Sequence, residues 1–397
     1  MVEFDPVREV GKLREHLASG DKLISFLFGA GSSAVLGSDG LVLLPLVAGL
    51  TSGCKEAVEA LGPEYGQAWS AITNGPEKSK WTIEDVLSFV RQMKSAALPG
   101  DRLAGLTSEE ISTMELTIRS TISRLVRPEA ARYPSQLPHR ALARWIRRID
   151  RLHPVEIFTT NYDTLLERAM EQEKVPLFDG FAGSYEPFFY PASLKFETSG
   201  PASDWTRLWK VHGSVTWSVR ESSEQKSTII RGAENESGEM ILPSVLKYDE
   251  SRKQPYVAML DRFGAALNNR EDGVLVVVGY SFGDQHINEI LFEALSHNPR
   301  LHLFALCYGD LPDDNALSIF AKGASNVLVY GRSGAVVNGQ PGSWRAANDD
   351  EVAKRLDGLF ELSDPATTNA ADRGKGSLRL GDFSVFCALL DQIAGAE

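Results

Sequence analysis

Leu23-Ile24-Ser25-Phe26-Leu27-Phe28-Gly29-Ala30-Gly31-Ser32-Ser33-Ala34 decides how the chain is read. A six-residue run with one polar member suits a buried strand, and the glycines after it suit a tight turn at its end. A strand followed by a glycine turn that opens a helix is the first unit of a nucleotide-binding α/β domain. Glycine there lets backbone N–H groups approach a pyrophosphate, and the helix adds the positive end of its dipole. The same residues also read as a turn and nothing more. No Asp or Glu stands at a second strand end about 20 residues on, where a dehydrogenase-type fingerprint places one.

Outward from this stretch, apolar runs predict further strands at 155–159, 208–211, 215–219, 274–279, 301–307 and 327–330. Helical spacing follows at Asp163–Gln172, Asp284–Ser296 and Asn315–Lys322, and a short amphipathic helix at Val10–Leu17 precedes the first strand. Strands alternating with such helices predict an α/β fold, a Rossmann-like, mostly parallel sheet flanked by helices. Between Cys54 and Arg148 the pattern changes. Ile83, Val86, Leu87 and Val90 follow the i, i+3, i+4, i+7 rule, and Thr107 with Glu110 forms a capping box ahead of Ile111, Met114, Ile118 and Ile122. The expected organisation is the first part of the α/β domain at 1–53, an inserted helical subdomain at 54–150, and the rest of the α/β domain at 151–335. A C-terminal extension at 336–397 ends in a helix at Phe383–Ile393. Residues 221–239 read as a polar loop and 363–377 as a linker.

Composition narrows the function classes. With 41 Lys+Arg against 53 Asp+Glu the net charge is −12, which argues against direct nucleic-acid binding by the chain as a whole. Met1–Gly11 carries four charged residues and no apolar core, so no secretory signal is expected. The longest apolar runs, such as Leu41–Leu50, fall far short of the ~20 residues of a membrane helix. Three scattered cysteines, Cys54, Cys307 and Cys387, offer neither a disulfide framework nor a four-cysteine zinc site. A cytoplasmic protein without membrane attachment or bound metal is the expectation.

Three more strand ends carry polar residues at the mouth where open α/β sheets bind ligands. In Thr159-Thr160-Asn161-Tyr162-Asp163, Asp163 suits a helix cap, while Asn161 either holds a turn or hydrogen-bonds a ribose or water. In Lys210-Val211-His212-Gly213-Ser214, His212 is a structural hydrogen-bonder or a base able to take a proton near neutral pH. In Gly279-Tyr280-Ser281-Phe282-Gly283-Asp284, Ser281 and the backbone amides suit a phosphate or ribose. Asp284 with His286 reads better as a helix cap than as a metal pair.

These four motifs, in this order over residues 23–330, resemble the sirtuin-like family, and within it the bacterial branch of NAD-hydrolysing anti-phage proteins. The resemblance implies NAD⁺ as substrate. It implies catalytic roles for Asn161, which would hold the nicotinamide ribose and attacking water, and for His212 as general base. Asp163 would fix the Asn161 loop. It implies binding of the dinucleotide by Gly29, Ala30, Gly31, Ser32, Thr160, Gly279, Ser281 and Asp284. Sirtuin deacylases carry a four-cysteine zinc module after the His-Gly motif; this sequence has none, and Thr160 stands where the deacylases have Gln. Protein deacylation is therefore the least favoured reading. The favoured one is an NAD⁺ glycohydrolase that depletes NAD⁺ during infection, and the alternative is a regulatory subunit that senses NAD or ADP-ribose. A toxic activity needs control; no sensor region is evident beyond the sirtuin-like stretch, so homo-oligomerisation or a separate protein is the expectation, and the resemblance implies a HerA-type ATPase as that partner.

Overall fold

The computed structural model describes residues 2–75, 81–194, 204–221, 227–234, 254–269, 271–310, 312, 314–363 and 373–395. Its main sheet contains β1 (Val2–Phe4), β2 (Leu23–Phe28), β3 (Glu156–Thr159) and β4 (Leu177–Phe178). A small antiparallel sheet holds β5 (Phe181–Ala182) and β6 (Phe188–Phe189); β7 (Thr206–Lys210) returns to the main sheet, and β8 (Trp217–Glu221) and β9 (Ser227–Arg231) complete the small one. The main sheet continues through β10 (Gly273–Val278), β11 (Leu301–Leu306), β12 (Val327–Tyr330), β13 (Gly334–Val337) and β14 (Gln340–Trp344). A separate pair, β15 (Phe360–Leu362) and β16 (Gly376–Leu378), follows.

The main sheet has the order β1-β14-β13-β12-β11-β10-β2-β3-β7-β4, and within it only β13 runs against its neighbours. The fold is thus mixed α/β around a mostly parallel sheet flanked by helices. From β2 the chain builds outward through β3 and β7, then crosses back and builds the other half from β10. The crevice beyond the carboxyl ends of β2 and β10 is the topological switch point, the standard ligand position in such sheets.

Period-two alternation buries both faces of the sheet. Ile24, Phe26 and Phe28 of β2 and Val274, Val276 and Val278 of β10 point into one core, covered by helices Pro6–Ala18, His139–Arg148, Leu165–Gln172 and Phe383–Gly395. Leu27, Leu275 and Val277 point into the other, under helices Tyr256–Leu267, Gln285–His297 and Ala316–Ala321. A third core belongs to helices Val47–Glu59, Pro63–Thr73, Ile83–Ala96 and Ser108–Leu125. The capping box at Thr107–Glu110 is present, and Thr82 with Asp85 forms a second. Tyr162 and Val215, from outside the helical subdomain, complete this third core. They flank Asn161 and follow His212, so the helical subdomain packs directly onto two of the predicted site loops.

Several local expectations differ. The glycine turn does not open an α-helix: Ala30–Ser33 is a single 3₁₀ turn, and the next helix begins at Val47. Val215 and Thr216 precede β8 rather than belonging to it, and Ser227–Arg231 is a strand inside the stretch read as a polar loop. Of that loop, 222–226 and 235–239 lie outside the described residues, as do 364–372 of the expected linker. The first helix starts four residues earlier than expected, at Pro6, and other predicted ends move by a residue or two, the usual uncertainty of element boundaries. No helix among the described residues is long and apolar enough to cross a membrane.

Candidate functional site

The two glycine motifs meet at the switch point. A Cβ on Gly29 would stand 2.5 Å from the carbonyl oxygen of Gly279, and one on Gly31 would stand 2.7 Å from its Cα. Gly279 has φ +69°, a left-handed conformation, and a Cβ there would strike the Ser32 amide. The Gly31 N–H donates to the Gly279 carbonyl at 2.9 Å. Glycine at these positions is therefore required by backbone packing against backbone. That changes the reason for the motif: the Gly31 amide, expected to face a pyrophosphate, is committed to Gly279.

Asn161 sits beside this contact, 8% exposed. Its Nδ2 lies 3.0 Å from the Gly29 carbonyl, 3.0 Å from Ser32 Oγ and 2.8 Å from Ser33 Oγ. The carbonyl can only accept, so it fixes which end of the amide is nitrogen. Oδ1, the opposite end, accepts no hydrogen bond among the described residues and is the acceptor left for a ligand. Ser33 Oγ donates onward to Asp163 Oδ2 at 2.7 Å, while Asp163 Oδ1 accepts from the Leu165 N–H at 3.0 Å. The N-cap of the helix Leu165–Gln172 is Thr164 rather than Asp163, which closes the turn before the helix and braces the Asn161 loop. The Asp163 carbonyl receives a hydrogen bond from Lys210 Nζ, which also pairs with Glu167 at 2.9 Å. Burial pushes the Glu167 carboxyl up, against the pull of Lys210.

His212 follows Lys210 at the end of β7, its imidazole 6.4 Å from the Tyr162 ring. Backbone bonds lace its loop to the Asn161 loop: Val211 N–H to the Thr159 carbonyl at 3.0 Å, and Val215 N–H to the Tyr162 carbonyl at 3.1 Å. His212 Nε2 lies 3.0 Å from Asp284 Oδ2. Asp284 Oδ1 accepts from the His286 and Ile287 amides at the start of the helix Gln285–His297, so the predicted cap is present. Burial pushes the Tyr162 and Tyr280 hydroxyls up; Glu84, in the first turn of the helix Ile83–Ala96, and Asp284 push both further. The helical subdomain thereby supplies one wall of the site.

The structure brings Gly29, Gly31, Ser32, Asn161, Asp163 and Gly279 into one bonded cluster, and His212 with Asp284 into a second, linked to the first through Thr159 and Tyr162. Thr160 closes the mouth by donating its amide to the Phe28 carbonyl at 3.1 Å, and Ala30 lies within the 3₁₀ turn. Ser281 is exposed, outside both clusters. Sequence reasoning missed a cavity of about 220 Å³ farther along the same mouth, lined by Tyr308, Arg332, Glu361, Leu378, Arg379 and Asp382. It opens where β11 and β12 end and is closed by the C-terminal extension. A legible signal was Gly381, whose Cβ would collide with the Cys307 backbone.

Known proteins were compared with the chain. No curated protein matches it. A solved structure reported as "Structural Basis for the Mechanism and Regulation of Sir2 Enzymes" aligns at 13% identity over 78% of this chain and 88% of that one, with a TM-score of 0.36. A likeness that loose carries no functional argument. Residues 155–327, the stretch bearing Asn161, Asp163, His212, Gly279, Ser281 and Asp284, match the family model of the SIR2-like domain.

Proposed function

We propose that the chain hydrolyses NAD⁺ to nicotinamide and ADP-ribose. One observation carries this reading: a buried carboxamide, Asn161, locked at the switch point with its nitrogen committed inward and its oxygen left for a ligand. The nicotinamide of NAD⁺ is a cationic leaving group. When its bond to the ribose breaks, the electron pair returns to the pyridinium nitrogen, and positive charge develops on the ribose. A water oxygen then bonds to that carbon and gives up a proton. Such a reaction needs orientation and electrostatic support more than bond-specific chemistry. Asn161 Oδ1 orients a ribose hydroxyl or the water, and His212 takes the proton. Asp163, Ser33 and Lys210 hold the Asn161 loop, and the cavity beyond β11 and β12 receives the adenosine half. The absence of a four-cysteine set favours hydrolysis over deacylation.

The wider proposal is depletion of NAD⁺ in anti-phage defence, restrained by homo-oligomerisation or by a HerA-type ATPase. The test is turnover: purified chain with NAD⁺, nicotinamide followed by chromatography, beside a mass measurement of the assembly, with and without a HerA-type ATPase. Asn161→Ala is expected to lower kcat by about 10²–10⁴, the range of a positioned acid–base group. NAD⁺ binding without nicotinamide release in either condition identifies a sensing subunit instead. Release that depends on an acetylated peptide identifies a deacylase.

A further inference from the structure

We propose that Asp284 is the positioning residue of the general base, fixing which nitrogen of His212 carries the proton. The inference rests on the reading of His212 as base, but it can be measured without turnover. The pair is 3.0 Å apart, and both side chains are less than a tenth exposed. Asp284 is held from both sides: Oδ2 faces His212 Nε2, and Oδ1 accepts the His286 and Ile287 amides at 3.0 and 3.4 Å. The turn that delivers it is braced as well. Tyr280 OH lies 3.3 Å from the Asp284 carbonyl and 3.2 Å from Asn288 Oδ1, and Asn288 Nδ2 donates to the Phe282 carbonyl at 2.7 Å. Phe282 is held at φ +56°, a left-handed conformation that non-glycine residues seldom adopt.

An ionised carboxylate only accepts hydrogen bonds, so the ring nitrogen facing it must carry hydrogen. Asp284 therefore keeps Nε2 protonated and confines the lone pair of the neutral imidazole to Nδ1. The division of labour matches a Ser-His-Asp triad with the two ring nitrogens exchanged. A helix cap alone would not need this: Asn and Ser cap as well as Asp.

That equivalence supplies the test. In Asp284→Asn the amide oxygen keeps the cap and the NH₂ turns to the imidazole, which forces Nε2 to accept and moves the proton to Nδ1. Asp284→Ser keeps the cap and removes the contact. Asp284→Asn should lower kcat by about 10² or more, with KM for NAD⁺ held within about twofold, and Asp284→Ser should fall between it and wild type. Imidazole ¹⁵N shifts, with His212 identified by its loss in His212→Gln, should show hydrogen on Nε2 in the wild type and on Nδ1 in Asp284→Asn. Wild-type kcat in both variants, or an unchanged His212 tautomer in Asp284→Asn, overturns the proposal. If the wild type binds NAD⁺ without cleaving it, the glycohydrolase reading fails and the tautomer alone decides the pairing.

Discussion

Strands β3 and β7 lie side by side and carry buried charge at both ends, yet the two ends are built for different work. At the start of the strands Glu156 is gripped by Arg207 at 3.2 Å, by Nε and Nη2 of Arg262, and by Trp209 Nε1 at 2.9 Å. Those bonds run from side chain to side chain, between elements that are already rigid. At the finish of the same strands, Lys210 holds a loop carbonyl, Asp163 braces a serine, and the serine braces Asn161. Here the bonds run to loop backbone and to groups that a ligand can reach. Burial of charge marks neither end as functional by itself. What distinguishes them is whether the network terminates on itself or on an atom still open to a ligand.

The contrast breaks most sharply at Glu156. Glu156→Gln takes the carboxylate away from Arg207 and the partly buried Arg262, and breaking a buried ion pair costs about 3–5 kcal/mol. Chemical denaturation should show that loss, while kcat and KM for NAD⁺ stay within about twofold. A matching fall in kcat would mean that the two ends are coupled and the distinction is false.

Lys210→Met probes the other end. The Asp163 carbonyl loses its donor, and Glu167 loses the cation that opposes its burial. The expected result is a fall in kcat of about 10², worth about 2.7 kcal/mol of barrier, as Asn161 loosens. If Lys210→Met loses stability but keeps its kcat, the lysine belongs with Glu156 as a structural ion.

The sequence made the parallel sheet legible because its central strands are continuous apolar runs, and it made Thr107–Glu110 legible because a capping box is local. Asn161, Asp163, His212 and Asp284 were legible as polar residues just past strand ends. Their partners were not. Gly29 meets Gly279, Ser33 meets Asp163, and His212 meets Asp284 across long separations that no local pattern encodes. This is why Gly29 and Gly31 were read as ligand-facing when each packs on Gly279. Strand β14, Gln340-Pro341-Gly342-Ser343-Trp344, escaped for another reason: it has almost no β-forming residues, and its pairing on both sides, with β13 and β1, defines it. Helix Tyr256–Leu267 was also missed, since nothing before it reads as a side-chain cap.

The smallest expected effect separates the two ends by their response to acid. His139 is buried behind the Asn161 loop against Phe383, and its Nδ1 has no hydrogen-bond partner among the described residues. Burial lowers its pKa from 6.5 to about 4, with Asp163 pulling weakly the other way. The unfolded chain therefore binds a proton more readily than the folded one between pH 6.5 and about 4. Stability is lost as pH falls through that window, and lowering the pH from 7 to 5 removes about 2 kcal/mol through this group alone. His139→Leu keeps the apolar contact with Phe383 and removes the titrating nitrogen. Its stability should fall less steeply over that interval, by about that amount, in denaturant titrations at the two pH values. A parallel dependence in wild type and His139→Leu would place the acid sensitivity elsewhere.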